Sequence, residues 1–191
     1  MKLIETALEG VVIIVPSIYG DERGYFYESF NSRDFAKIVG RDVAFVQDNE
    51  SLSREGVIRG LHYQLPPHAQ SKLVRVVRGA ILDVVVDIRR GSPTFGRYVA
   101  VELSADNHHQ LFIPRGFAHG FKVVEGEALL QYKCDNYYAP ECEGSIRWDD
   151  PTLAIDWQMG STEAVVSARD RGARLLEECD ELFDYNVDYY A

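Results

Sequence analysis

A mainly β fold, a barrel or double-sheet jelly roll with a few short and mostly C-terminal helices, is what this 191-residue chain predicts. Two observations carry the prediction. From residue 43 onward one short apolar segment follows another, and Gly, Pro, Asp and Asn punctuate the gaps. Where the pattern is cleanest, at Lys72-Leu73-Val74-Arg75-Val76-Val77, it approaches the two-residue period of a pleated strand.

The elements follow in order. Gly10–Pro16 reads as a strand ended by its proline. Asp21–Gly24 is a turn, and Tyr25–Phe30 a second strand. Asn31–Asp34 can cap a short helix over Phe35–Val39. Strands are then expected at 43–48, 57–64, 71–78, 80–88, 97–103, 110–113, 119–124, 127–133, 145–147 and 154–156. Short helices are expected at Ser161–Glu163 and Ala173–Leu182, before an acidic, tyrosine-rich tail from Asp184 to Ala191 that reads as solvated or dimer-packed. No repeat, low-complexity tract or linker divides the chain, so residues 1–191 read as one domain.

Composition narrows the functional classes. A hydrophobic content of 46% is enough for a real core. The net charge of -10 argues against nucleic-acid binding, which depends on a broad basic surface. Cys134, Cys142 and Cys179 are an odd number without close spacing, which points to free thiols rather than a disulfide framework or zinc site. The N-terminus lacks a signal-peptide core, and no run is long enough to span a bilayer. The expectation is a soluble cytoplasmic protein with no membrane partner.

The segment Gly56–Gly79 concentrates the chemistry. It sets Arg59, His62, Lys72, Arg75 and Arg78 among apolar strands. Strand alternation puts Lys72 on the same face as Val74. A cation facing a barrel interior is costly unless an anion visits it. With a histidine nearby, the pair suggests a base and an oxyanion stabiliser, the minimum for removing a proton beside a carbonyl. Arg75, Arg78, Arg89 and Arg90 read instead as rim or surface charge pairs, and Trp148 and Trp157 as packing residues.

A second segment, QLFIPRGFAHGF (110–121), contains Pro114-x-Gly116-x-x-His119, which resembles the second motif of the cupin superfamily. Metal-binding cupins also need an H-x-H pair and a glutamate. Here the matching region has His62-Tyr63-Gln64 and then Lys72, whose charge repels a metal. No metal is expected.

Longer stretches are more specific. QDNESLSREGVIRGLHYQLPPHAQSKLVRVV (47–77), SPTFG (92–96), the segment at 110–121, YKCDNYYAPECEGSIRWDDP (132–151) and SARD (167–170) resemble the dTDP-4-dehydrorhamnose 3,5-epimerase family. The resemblance implies a cupin-type jelly roll, a homodimer, no organic cofactor and a dTDP-sugar substrate. It assigns His62 as the base beside the C4 ketone and Asp170 as its orienting carboxylate. Lys72 would stabilise the enolate, and Tyr132 would return a proton from the opposite face. For substrate binding it implies Arg23, Arg59 and Arg169 on the diphosphate, with Gln47, Asp48 and Asn49 on the nucleotide or sugar. Glu28 and Glu143 would accept hydrogen bonds, His119 would lie near sugar and phosphate, and Tyr138 would stack on thymine. Arg23–Glu28 would reach the neighbouring subunit's site.

Two departures stand out. Many relatives have lysine where this chain has Arg169, and Arg171-Gly172-Ala173-Arg174 replaces a stretch that often carries proline. Three rivals remain: a C3-only epimerase, a metal-dependent cupin enzyme, and a silent sugar-nucleotide binding protein.

Overall fold

The computed structural model describes residues 1–191. Its two sheets face each other. The first runs, edge to edge, β1 (Lys2–Glu5), β2 (Val12–Val15), β11 (Gln110–Ile113), β7 (Lys72–Arg78), β13 (Glu127–Cys134) and β5 (Gln47–Arg54). The second runs β10 (Tyr98–Ser104), β8 (Ala80–Asp87), β12 (Phe117–Val123), β6 (Val57–Gln64) and β14 (Glu143–Ser145), with β15 (Val165–Val166) also beside β6. Two small pairs complete the strands: β3 (Tyr19–Asp21) with β4 (Gly24–Phe26), and β9 (Arg89–Arg90) with β16 (Phe183–Asp184). This is the mainly β, jelly-roll class that the sequence predicts.

Three apolar layers follow from strand alternation. Val74, Val76, Leu111 and Leu130 of the first sheet meet Ile81, Val85, Leu103 and Phe121 of the second between the sheets. On the outside of the first sheet, Leu73 and Phe112 receive Phe35 of α1 (Ser32–Val39). That helix starts where the Asn31 side chain accepts the N–H groups of Arg33 and Asp34, and ends at Gly40 in the left-handed region (φ 74°). Outside the second sheet, Leu82, Val84 and Val86 are covered by Trp157, Leu176, Cys179 and Phe183 from the last third of the chain.

Several boundaries differ from expectation. The strand expected at 43–48 runs instead at 47–54, because Val43 is drawn into the layer around Phe35 while the polar run after it pairs with β13. Lys2–Glu5 forms an unanticipated edge strand, and the strand expected at 25–30 shrinks to the short β4. Residues 154–156 are not a strand. The C-terminal helices expected at 161–163 and 173–182 reduce to one 3-10 turn, Leu176–Glu178. Leu176, Cys179 and Phe183 each fill a place on the second sheet, and the Leu176 N–H donates to Asp150 Oδ2 (2.7 Å) rather than to a helical carbonyl. A four-residue helix, α2 (Ala168–Arg171), lies just before this stretch. The tail packs on its own barrel: Phe183 is buried, and β16 pairs with β9.

Because both sheets share the central layer, one cooperative urea transition is expected for residues 1–191. Phe112 is fully buried and meets Phe35 edge-on (ring centroids 5.1 Å apart). Phe112→Ala should cost about 3–5 kcal/mol in that measurement; a loss under about 1 kcal/mol would mean that α1 is not anchored there.

Candidate active site

Strand register gathers side chains from both sheets at one end of the central layer. On the first sheet Lys72 lies opposite Cys134, and Tyr132 lies between Val74 and Asn49. Directly opposed residues share a face, and Val74 points inward. Lys72, Tyr132, Cys134, Asn49 and Gln47 therefore form one inward patch beyond the apolar layer. On the second sheet His62 lies opposite His119. A cavity of about 220 Å³ between the two is lined by Gln47, Asn49, His62, Gln64, Gln70, Lys72, Tyr132, Tyr138 and Glu143, together with Tyr63.

Arg59 and His62 are three residues apart, so a regular strand would point them to opposite faces. The register between β6 and β12 slips between His119 and Phe121, leaving Arg59 opposite Phe121 and His62 opposite His119. Both partners point inward, so both β6 side chains do as well. Gly60 sits at the slip with φ +128°; a Cβ there would lie 2.5 Å from the Gly120 Cα. Only glycine permits this close approach of two strands.

His62 Nε2 is 2.8 Å from Asp170 Oδ1. Asp170 is almost wholly buried in α2, where its N–H donates to the Ser167 hydroxyl and its Oδ2 accepts the Gly60 N–H. Burial alone would raise its pKa, but the hydrogen bonds from His62 and Gly60 outweigh burial and hold it below the usual carboxylate value. An ionised carboxylate can only accept, so Nε2 carries a proton, and in the neutral imidazole the lone pair is then on Nδ1.

Lys72 is half-buried and makes no side-chain hydrogen bond or ion pair. Burial pushes its ammonium pKa down, opposed by Cys134, Asp83 and Glu143. Burial likewise raises the Tyr132 hydroxyl pKa, with Arg59 opposing. Cys134 is pushed up to about 11 by burial, so its thiol stays protonated at neutral pH.

At the mouth, the Tyr138 hydroxyl donates to Glu143 Oε2 (2.7 Å), and Arg169 pairs with the same oxygen (2.6 Å). Burial would raise the Glu143 pKa, yet Tyr138 and Arg169 together hold it below its usual value. Gln47 Oε1 accepts the Tyr138 N–H (3.0 Å).

The other expected residues divide. Arg59 donates to the Ser53 hydroxyl (3.0 Å), near Tyr132. Asp48 faces outward and pairs with Lys133 (2.9 Å). His119 is buried against both Asp83 oxygens (2.9 Å each) and does not line the cavity. Arg23 pairs with Asp21 on the exposed β3–β4 hairpin, and Glu28 is exposed beyond it; neither lines this cavity.

Sequence reasoning missed Gln64, Asp83 and Cys134. Gln64 follows His62 by two residues, a spacing that puts it on the same face; its side chain holds the Tyr137 carbonyl and the Ala139 N–H under the mouth. Asp83 interrupts an apolar strand at an inward position, which is a readable signal.

The family model described as dTDP-4-dehydrorhamnose 3,5-epimerase matches residues 5–178. The chain belongs to the dTDP-4-dehydrorhamnose 3,5-epimerase family. A relative of that name from Salmonella typhimurium is 49% identical over 178 residues, covering 93% of this chain and 97% of the relative. Within the same family, the chain is similar to the crystal structure of dTDP-6-deoxy-D-glucose-3,5-epimerase from Legionella pneumophila in complex with dTDP-4-keto-L-rhamnose. The TM-score is 0.93 at 49% identity, covering 97% of this chain and 99% of that one. A 3'-monoepimerase from Streptomyces bikiniensis in complex with dTDP-quinovose also matches, with TM-score 0.85 at 38% identity over 90% of this chain and 86% of that one.

Asp170 and Glu143 are both held low, so the stability they contribute is complete above the unfolded carboxylate value of about 4 and is lost as pH falls through their lower folded values. Asp170→Asn should therefore be less stable than wild type to urea at about pH 7, with the gap narrowing towards about pH 3. A gap of constant size across that range would contradict the pairing.

Proposed function

We propose that this epimerase converts dTDP-4-dehydro-6-deoxy-D-glucose to dTDP-4-dehydro-L-rhamnose by proton exchange at C3 and C5. The observation that carries this reading is the division of proton carriers: His62, backed by Asp170, stands on one sheet and Tyr132 on the other, across one cavity. Inversion needs removal from one face of a carbon and delivery to the other.

The roles follow from the chemistry of each group. His62 Nδ1 takes the proton beside the C4 ketone, and Asp170 stabilises the imidazolium that results. Negative charge then develops on the C4 oxygen. Lys72, a desolvated cation without a partner, stabilises that enolate more than the neutral ketone. Tyr132 remains protonated at neutral pH because burial raises its pKa, and it delivers a proton to the opposite face. Gln47 and Asn49 bind the nucleotide or sugar from the cavity wall, and Asp48 belongs to the same contact segment. Tyr138, exposed at the mouth, stacks on thymine. Arg59 and Arg169 bind the diphosphate, and Glu143 accepts hydrogen bonds once Arg169 turns to the ligand. His119 acts near the sugar and phosphate from its place beneath the cavity.

We place Arg23 and Glu28 in the site of a second copy, in a homodimer. Their hairpin exposes Tyr19, Tyr25 and Phe26, with 68%, 63% and 71% of each residue open. Such an apolar patch marks an interaction surface. Sedimentation should give twice the chain mass; a monomer at micromolar concentration would remove this assignment. The enzyme is placed in the cytoplasm, where its three unpaired cysteines fit a reducing compartment; recovery in another cell fraction would refute this. No helix is long and apolar enough to cross a membrane.

A C3-only epimerase is the second reading, because the 3'-monoepimerase shares the fold. Two variants test the division of labour. His62→Ala should abolish solvent exchange at the sugar while dTDP still binds; persistent exchange would remove His62 as base. Tyr132→Phe should keep part of the exchange and lose net inversion by roughly 10²-fold or more. Inversion at the wild-type rate would rule out its role.

A further inference from the structure

We propose that Tyr190, in the C-terminal tail, is a positioning residue for Lys72, closing the end of the strand pair from which Lys72 projects. The family match ends at residue 178, so Tyr190 lies outside it. The inference rests on the enolate-stabilising role assigned to Lys72.

Lys72 and Cys134 are the last register pair between β7 and β13. Strand ends fray unless something beyond them holds. Here the next two residues are tied by side chains. The Ser71 N–H donates to Asp135 Oδ1 (2.6 Å), and its hydroxyl donates to Asp135 Oδ2 (3.0 Å). Arg115 Nε donates to the same Oδ2 (3.1 Å). Ser71 is wholly buried, so water does not compete for these bonds.

Tyr190 completes this knot. Its hydroxyl lies 2.5 Å from Ser71 Oγ and accepts the Arg115 N–H (3.1 Å). Ser71 has one hydroxyl proton, and Asp135 receives it. Tyr190 must therefore be the donor to Ser71, giving a one-way chain from tail to strand end. The ring lies beneath the Arg41 and Arg115 guanidinium groups, 4.2 and 4.8 Å from its centroid. Asp188 pairs with Arg41 (2.9 Å) and anchors the tail beside it. Removing the hydroxyl leaves the Arg115 N–H without its acceptor and Ser71 Oγ without its donor. The Ser71–Asp135 bonds beyond Lys72 and Cys134, among them the Asp135 N–H to the Ser71 carbonyl (3.3 Å), then lose the donor that orients the Ser71 hydroxyl, and the strand end holding Lys72 is less firmly fixed.

The test is Tyr190→Phe, which keeps the ring over both arginines and removes only the hydroxyl. kcat should fall about five-fold, the equivalent of one hydrogen bond, with dTDP affinity by calorimetry unchanged. The Lys72 ammonium should also titrate closer to the ordinary lysine value as water reaches it, followed by NMR with the resonance assigned through Lys72→Arg. The charged or titratable groups around Lys72 are Cys134, Asp83 and Glu143, with Tyr132 beside it on the same sheet and His62 across the cavity, and none of them is altered. Ser71→Ala breaks the chain from its other end, so it should give the same two changes should Tyr190→Phe fail to fold. A lower melting temperature with wild-type kcat and an unmoved Lys72 titration would make Tyr190 merely structural and overturn the proposal. Full activity in Lys72→Met would instead overturn the role of Lys72, and the NMR titration would separate that failure from a failure of the latch.

Discussion

The contact between His62 and Asp170 joins residues 108 positions apart, and much of the site depends on it. It ties β6 in the second sheet to the short helix α2. That helix has a single turn and cannot stand alone. Its Ser167 cap and the buried Asp170 carboxylate hold it in place. The neighbouring residue, Arg169, then reaches Glu143, and Glu143 fixes the Tyr138 hydroxyl. One part-buried hydrogen bond thus sets both the arrangement of the His62 imidazole and the shape of the cavity mouth. The ionised state of Asp170 makes this contact directional, because a carboxylate without a proton leaves the imidazole only one arrangement.

The interior shows how a β-sandwich holds polar chemistry without losing its core. The apolar layer occupies most of the space between the sheets. At one end the same inward positions carry His62, Lys72, Tyr132 and Asn49 in place of valine and leucine. Each of these costs desolvation. His62 is compensated by Asp170, and His119 by Asp83. Lys72, like Tyr132, has no side-chain bond to compensate it within this chain. A cation left so is unfavourable at rest and gains most when an oxyanion forms beside it, which is the condition for stabilising a transition state more than a ground state.

Sequence patterns revealed β6, β7, β8 and β11 closely, because each carries β-branched or aromatic residues between turn signals. Motifs longer than any local period also pointed to His62, Lys72, Tyr132 and Asp170, which the fold brings together: the first three line one cavity, and Asp170 bonds to His62. Other features were hidden for physical reasons. β5 is polar because one face lines the cavity and the other bears an exposed ion pair at Asp48 and a hydrogen bond at Glu50, so it lacks an apolar rhythm. The stretch from Leu175 to Phe183 has apolar residues at helix-like spacing, yet each is held by the second sheet rather than by helical neighbours. The inward turn of Arg59 beside His62 depends on a register slip at Gly60, which no two-residue period announces. The burial of His119 against Asp83 depends on the pairing of β8 with β12 and is equally non-local.

The division of proton carriers across the two sheets is most directly tested by incubating the wild-type protein with dTDP-4-dehydro-6-deoxy-D-glucose in D2O and locating the label by NMR. Deuterium at both C3 and C5, with both centres inverted, is the predicted result. Label with retention at both centres would contradict it, because the proton would then have left and returned on a single face.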